Sequence, residues 1–157
     1  MLSRDASYVP TLIVNSRNFA YDRETLGVSE RGWRWLRAAY DAKWDSLERA
    51  KRAGVRIAAG SDAGFLVIHG ENAAELEELV KGGFTPLEAI TAATSAAARL
   101  LGLSDEIGAL HAGKLADVVV VDGDPLADIT LLQQQERITH VLKDGTLVKE
   151  EASKSST

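Results

Sequence analysis

Apolar residues in this chain fall in short runs and in helical stripes, and the two alternate along its first hundred residues. "YVPTLIV", residues 8–14, is a short run rich in β-branched side chains. It predicts a strand with Pro10 at or near its first position, where a missing N–H does least harm. A polar loop over residues 15–28 follows. In "SERGWRWLRAAYDAKWDSLERAKRAG", residues 29–54, Trp33, Leu36, Tyr40, Trp44 and Leu47 recur at spacings of three and four and so share one helix face. Ser29 can cap that helix, Lys51 and Arg52 suit its negative end, and Gly54 is a stop signal. "VRIAAG", residues 55–60, then predicts a second buried strand. Strand, long helix, strand is a βαβ unit, with parallel strands and a right-handed crossover.

Two further helices are predicted. Asn72 with Glu75 three residues on resembles a capping box, and Leu76, Leu79 and Val80 form the apolar face. Thr85, Pro86 and Glu88 give the cap, N1 and N3 signals of the next helix. "LEAITAATSAAARLLG" then carries Leu87, Ile90, Ala93, Thr94, Ala97 and Leu101 on one side, its alanines suiting close packing, and ends at Gly102. After Gly102 the pattern turns to β. "DVVVVDGDP" is a strand followed by a turn, and "ITHVLKDGTLVKE" is a hairpin in which Asp144-Gly145 favours a type I′ turn. The expected organisation is an α/β part over residues 1–102, a small β part over 103–150 and a disordered tail over 151–157. No internal repeat is visible.

Composition narrows this picture only at its edges. A length of 157 residues suits one domain, or a domain and a fragment, and a hydrophobic share of 45% is enough for a core. The net charge is −5 and no basic block occurs, which speaks against a nucleic-acid partner. Without cysteine there is no disulfide, thiolate metal site or cysteine nucleophile, which fits a reducing compartment. The first apolar run is too short to span a bilayer and no signal-peptide pattern precedes it. The expectation is a soluble, cytoplasmic protein with no membrane partner.

The candidate chemistry sits in "GVRIAAGSDAGFLVIHGEN", residues 54–72. Asp62 directly follows the second predicted strand, and parallel α/β folds carry functional groups where strands end. Gly60 and Gly64 would let the backbone bend and a ligand come close. Against this, Asp is a common turn cap. His69 can serve as a ligand, an acid–base group or a substrate contact, or can be an ordinary loop histidine. His111 lies in a turn, and His140 reads as a surface residue of a hairpin strand. Gly108, Gly113 and Lys114 match the spacing of a phosphate loop. Leu115 stands where that motif needs Ser or Thr, and a strand follows where it needs a helix, so nucleotide binding is rejected. No HxH, HExxH or GxSxG occurs. Glu75, Glu77 and Glu78 read as a solvated helix face. The tryptophans read as packing residues, with Trp35 off the main stripe and placed to meet another element or chain.

Taken in order, "GVRIAAGSDAG", "HGENAAELEELVKGGFTPLEAITAATSAAARLLGL", "IGALHAGKLADVVVVDGDPLADI" and "ITHVLKDGTLV" resemble the C-terminal portion of the metal-dependent amidohydrolase superfamily, nearest its imidazolonepropionase-like and prolidase-like enzymes. "YVPTLIV" is similar to their strand-seven segment. The resemblance implies a (β/α)8 TIM barrel whose last two strands and following helices lie in this chain, flanked by strands of a small β-sandwich from Ile107 on. It implies hydrolysis of C–N bonds in amides, cyclic amides or dipeptides by metal-activated water, with one or two divalent ions, usually zinc. Asp62 matches the aspartate after strand eight, a metal ligand and general base. His69 matches a position near the substrate pocket.

The family pattern also needs an HxH pair, a lysine or glutamate and two further histidines on earlier strands, and none stands in this sequence. A metal site takes about three protein ligands. The chain is therefore expected to be a C-terminal fragment, inactive alone, and whether it is an enzyme in its own right stays open. Its open strand edges are expected to drive self-association or pairing with a complementary N-terminal half. The alternative is a non-catalytic remnant that acts as an oligomerisation or interaction module.

Overall fold

The computed structural model describes residues 6–19, 22–64, 67 and 69–150. The expected disordered tail, 151–157, lies outside them. Strand β1 (Ser7–Tyr8) pairs in parallel with β2 (Arg56–Ile57), Ser7 opposite Arg56 and Tyr8 opposite Ile57. One more bond, from Ala58 N–H to the Tyr8 carbonyl at 3.1 Å, continues the ladder. The expected parallel pair is thus present.

The first strand is much shorter than its β-branched run suggested. Thr11 takes a positive φ of 45°, and helix α1 (Leu12–Asn18) occupies the rest of the run and the start of the expected loop. Tertiary context overrides the local preference for strand here. The carboxylate of Glu75 receives the N–H groups of Leu12 and Ile13, at 2.9 and 2.8 Å, which a strand would have needed to pair elsewhere.

Helix α2 (Glu30–Arg52) begins as its sequence signals, with the Ser29 hydroxyl accepting from the Gly32 N–H. Its stripe meets the core at Leu47, fully buried among Leu12, Ile57, Leu79, Phe84 and Ala92. Burying such a side chain stabilises by about 1.5–3 kcal/mol. Higher up, the ring of Phe19 packs edge-on against Trp33 and Tyr40. Trp35 is 70% exposed, off the stripe as its spacing required.

Helix α3 (Ala74–Lys81) has Ala73 at its N-cap and no side-chain cap, so the expected Asn72–Glu75 box does not form, because Glu75 is engaged with α1. The Thr85–Glu88 box does form, at 3.2 and 2.7 Å, and starts α4 (Pro86–Ala93). The long helix expected after Pro86 breaks at Thr94 (φ −120°, ψ −94°), and α5 (Ser95–Leu100) follows. The break spoils the single apolar stripe. Ala89, Ala92 and Ala98 are buried, whereas Leu87 and Leu101 are exposed. The small residues let α4 come close enough for the Ala92 carbonyl to accept the Ala59 N–H at 2.9 Å. Gly108, part of the rejected phosphate-loop match, packs against the break. A Cβ there would lie 2.6 Å from the Ala98 Cβ.

Strands β3 (Val118–Val121), β4 (Ile138–Lys143) and β5 (Thr146–Glu150) form an antiparallel sheet in that order. Asp144 and Gly145 both have positive φ, as a type I′ turn requires. Before β4 the chain returns to the α/β core. Ile129, in a 3₁₀ turn, is buried in the main cluster, and Gln133 Nε2 donates to Glu77 at 2.9 Å. No described helix is long and apolar enough to cross a membrane.

Candidate functional site

Asp62 lies just past the carboxyl end of β2. On the route to it, Ala58 is bonded to Tyr8 and Ala59 to Ala92, and the Val9 side chain lies close against Gly60. Gly60 is there because of that last contact, since a Cβ would stand 2.6 Å from Val9 Cγ1. Gly64 differs, with open space where its Cβ would be. Asp62 itself is exposed and takes φ +48°, a left-handed conformation that costs most non-glycine residues energy and that Asp tolerates better than most. Beyond it, Gly64 N–H donates to the Val67 carbonyl at 2.8 Å and turns the chain back. His69 is exposed in the turn that leads to α3. Both predicted residues therefore stand at the surface on the same connection, free of the core.

His140 lies in β4 opposite Glu150, a strand residue as expected, and His111 is exposed in a turn. Among the described residues no three His, Asp or Glu side chains come together in a set that could hold a metal ion. Asp62 and His69 are suitable donors by chemistry, but two donors do not complete a metal site.

The sequence reading missed a buried polar cluster beneath this connection. Glu75 and Glu78, expected on a solvated face, are both buried, as is Lys43. Glu75 receives the Leu12 and Ile13 amides. Lys43 Nζ donates to the Leu12 carbonyl at 3.2 Å, to Ser16 Oγ at 2.8 Å and to Glu78 at 3.3 Å. Ser16 also bonds Glu78, whose other oxygen takes Lys81 at 2.9 Å. Burial pushes the Glu75 carboxyl up to about 7, against the two amides that pull it down. Burial also lowers Lys43, with Glu78 resisting. Glu78 feels the same burial, yet Ser16, Lys81 and Lys43 outweigh it and hold the carboxyl below its usual range. Tyr8 is pushed up by burial and by the nearby Glu75 charge. A signal for the cluster was present. Lys43 falls on the same stripe as Tyr40, Trp44 and Leu47, and Glu75 lies one turn before Leu79.

Residues 37–148 match the Amidohydrolase family. This chain belongs to the amidohydrolase family. Ochratoxinase of Aspergillus niger is 39% identical over 125 residues, which cover 78% of this chain and 25% of that protein. Imidazolonepropionase of Brevibacillus brevis is 42% identical over 72 residues, covering 44% of this chain and 16% of that one. Among solved structures, a Xaa-Pro dipeptidase with bound methionine in its active site superposes with a TM-score of 0.81 at 32% identity, over 95% of this chain and 36% of that one. The chain thus spans about a quarter of the ochratoxinase and about a third of the dipeptidase. These matches bear out the resemblance to amidohydrolases, and to imidazolonepropionase-like and prolidase-like members in particular. The fold is α/β, and its structural neighbours are amidohydrolase TIM-barrel enzymes. The family generally uses a divalent metal and acts on small-molecule amides or dipeptides.

Proposed function

We propose that this chain forms the C-terminal part of a metal-dependent amidohydrolase that cleaves C–N bonds in amides, cyclic amides or dipeptides. In this reading residues 1–102 provide the last two strands and following helices of a (β/α)8 barrel. Residues 103–150 provide strands of the small flanking sandwich. The observation that carries the proposal is Asp62, an exposed carboxylate directly past a parallel strand, on a backbone conformation that needs support from its surroundings. Such strand ends are where parallel α/β folds keep reactive groups.

Asp62 is then a metal ligand and the general base. Its carboxylate takes a proton from the attacking water and returns it to the leaving nitrogen. A metal ion, zinc in this reading, held by Asp62 together with ligands from a complementary half, would supply the activation of that water. His69 is a substrate contact, suited to a substrate carboxylate. The remaining ligands come from a complementary N-terminal half, so the chain alone is inactive; self-association would cover its open edges without adding those ligands. The open edges of the two-stranded β1–β2 sheet and the exposed Leu87, Leu101 and Leu110 favour such pairing.

A second reading, a non-catalytic interaction module, is favoured by the lack, among the described residues, of a set of three donors that could hold a metal ion. Co-expression with a half carrying the HxH pair separates the two. The hydrolase reading expects bound zinc and hydrolysis of dipeptides or lactams, both lost in Asp62→Asn. A folded complex without zinc or activity supports the module, and full activity in Asp62→Asn removes Asp62 from the chemistry.

A further inference from the structure

Glu75 is buried, and the proposed chemistry leaves it unused. Its two oxygens hold the amides of Leu12 and Ile13, 63 and 62 positions away in sequence. The first N–H groups of a helix have no partner within it, and the Glu75 oxygens satisfy two of them. Glu75 therefore fixes where α1 begins. Ile13 is buried in a small cluster with Val67 and Ala74, and Ala63 packs against that cluster. Ala63 directly follows Asp62, and Val67 receives the Gly64 N–H. On the other flank, Val9 presses on Gly60. Val9 thus lies against Gly60 on one side of Asp62, and the cluster that contains Ile13 lies against Ala63 on the other. Between those contacts Asp62 holds φ +48°, a conformation that persists only where neighbours over-determine it.

We propose that Glu75 is the positioning residue for Asp62: by clamping the first turn of α1 it sets Val9 and Ile13, and these hold the 60–64 segment in place. The catalytic meaning of this coupling rests on the reading of Asp62 above, whereas the coupling itself is testable without activity. Among the described residues, the titratable groups around Glu75 are Tyr8 from β1, Lys43 from α2 and Glu78 from its own helix.

The test is amide NMR and hydrogen exchange on the whole 157-residue chain, comparing wild type with Glu75→Gln and Ile13→Val. In Glu75→Gln the Leu12 and Ile13 amides shift, and the Ala63 and Gly64 amides shift with them and exchange about tenfold faster. Ile13→Val keeps both bonds to Glu75 but trims the contact with the Ala63 cluster. It should move Ala63 and Gly64 and leave Leu12 unchanged. A purely structural Glu75 would alter Leu12, Ile13 and the melting temperature but leave Ala63 and Gly64 in place, and that result overturns the proposal. If Glu75→Gln fails to fold, Ile13→Val decides alone: unmoved Ala63 and Gly64 sink the coupling. Loss of the coupling leaves the metal and hydrolysis assays of Asp62→Asn untouched, so the two readings fail separately.

Discussion

Lys43 Nζ lies 3.3 Å from the Glu78 carboxylate, with the two side chains only 4% and 10% exposed. The pair ties α2 to α3, and Ser16 of α1 completes the joint. Removing one partner of a buried pair leaves an uncompensated charge, whereas replacing both by apolar residues is often neutral. Lys43→Met should therefore lower the unfolding free energy by about 3 kcal/mol, at the low end of the usual range because Lys81 still reaches Glu78. The double variant Lys43→Met/Glu78→Leu should recover most of that loss. Urea denaturation reads both, and equal losses in the single and double variants would contradict the account.

Glu75 carries a pH dependence of opposite sign to that of most carboxylates. Its folded carboxyl is raised from 4.5 to about 7, so the folded state binds the extra proton between those values. Stability from this group is fully present below about pH 4.5 and is lost as pH rises toward 7, by about 3 kcal/mol. Glu78 runs the other way, since its depressed carboxyl loses stability as pH falls. The difference between wild type and Glu75→Gln isolates the first effect. That difference in melting temperature should shrink from pH 5 to pH 8, and a gap that widened would reverse the assigned sign.

Local signals were strong where chain neighbours alone decide the outcome. Ser29, the Thr85–Glu88 box and Asp144-Gly145 each form as their types require, because a cap or tight turn is settled within a few residues. Asp62 was legible for a similar reason, as a polar residue between glycines at the end of an apolar run. Most of the misreadings involve long-range partners. Residues 12–14 look like strand until the Glu75 carboxylate arrives from more than sixty positions away. Glu75 and Glu78 look solvated until Lys43 and Ser16 are opposite them. Leu87 and Leu101 look like core, but α4 turns Ala89 and Ala92 inward instead of Leu87, and the helix breaks at Thr94 before it reaches Leu101.

The Thr85 cap holds α4, whose Ala92 carbonyl steadies the end of β2. Thr85→Ala should cost about 1 kcal/mol, and Thr85→Ser should cost a few tenths at most. Lys51 also reaches Glu88, at 3.2 Å, and the Gly83 carbonyl, at 2.6 Å, so the end of α2 is fastened to the same point. Thermal melts of the two variants check this, and equal stability of Thr85→Ala and wild type would remove the cap from the account.

Gly60 and Gly64 flank Asp62 but differ in what surrounds them. Gly60→Ala drives a methyl to 2.6 Å from Val9 and should destabilise by about 1–3 kcal/mol, as overpacking does. Gly64→Ala meets nothing within 4 Å and should leave stability within about 0.5 kcal/mol of wild type. Urea midpoints separate the pair, and similar losses at both sites would mean that backbone freedom, rather than contact with Val9, requires glycine at position 60.

Asp62 should be dispensable for folding in its charge but not in its shape. The side chain is exposed, while the backbone holds a left-handed φ of +48°. Asn tolerates that conformation nearly as well as Asp, and β-branched residues do not. Asp62→Asn should therefore unfold within about 0.5 kcal/mol of wild type, and Asp62→Val should lose about 1–2 kcal/mol. If Asn proves as costly as Val, the carboxylate is committed to holding its own turn and is not free for chemistry. If Asn is silent in folding yet abolishes zinc retention in the complemented protein, the charge at position 62 is kept for a ligand.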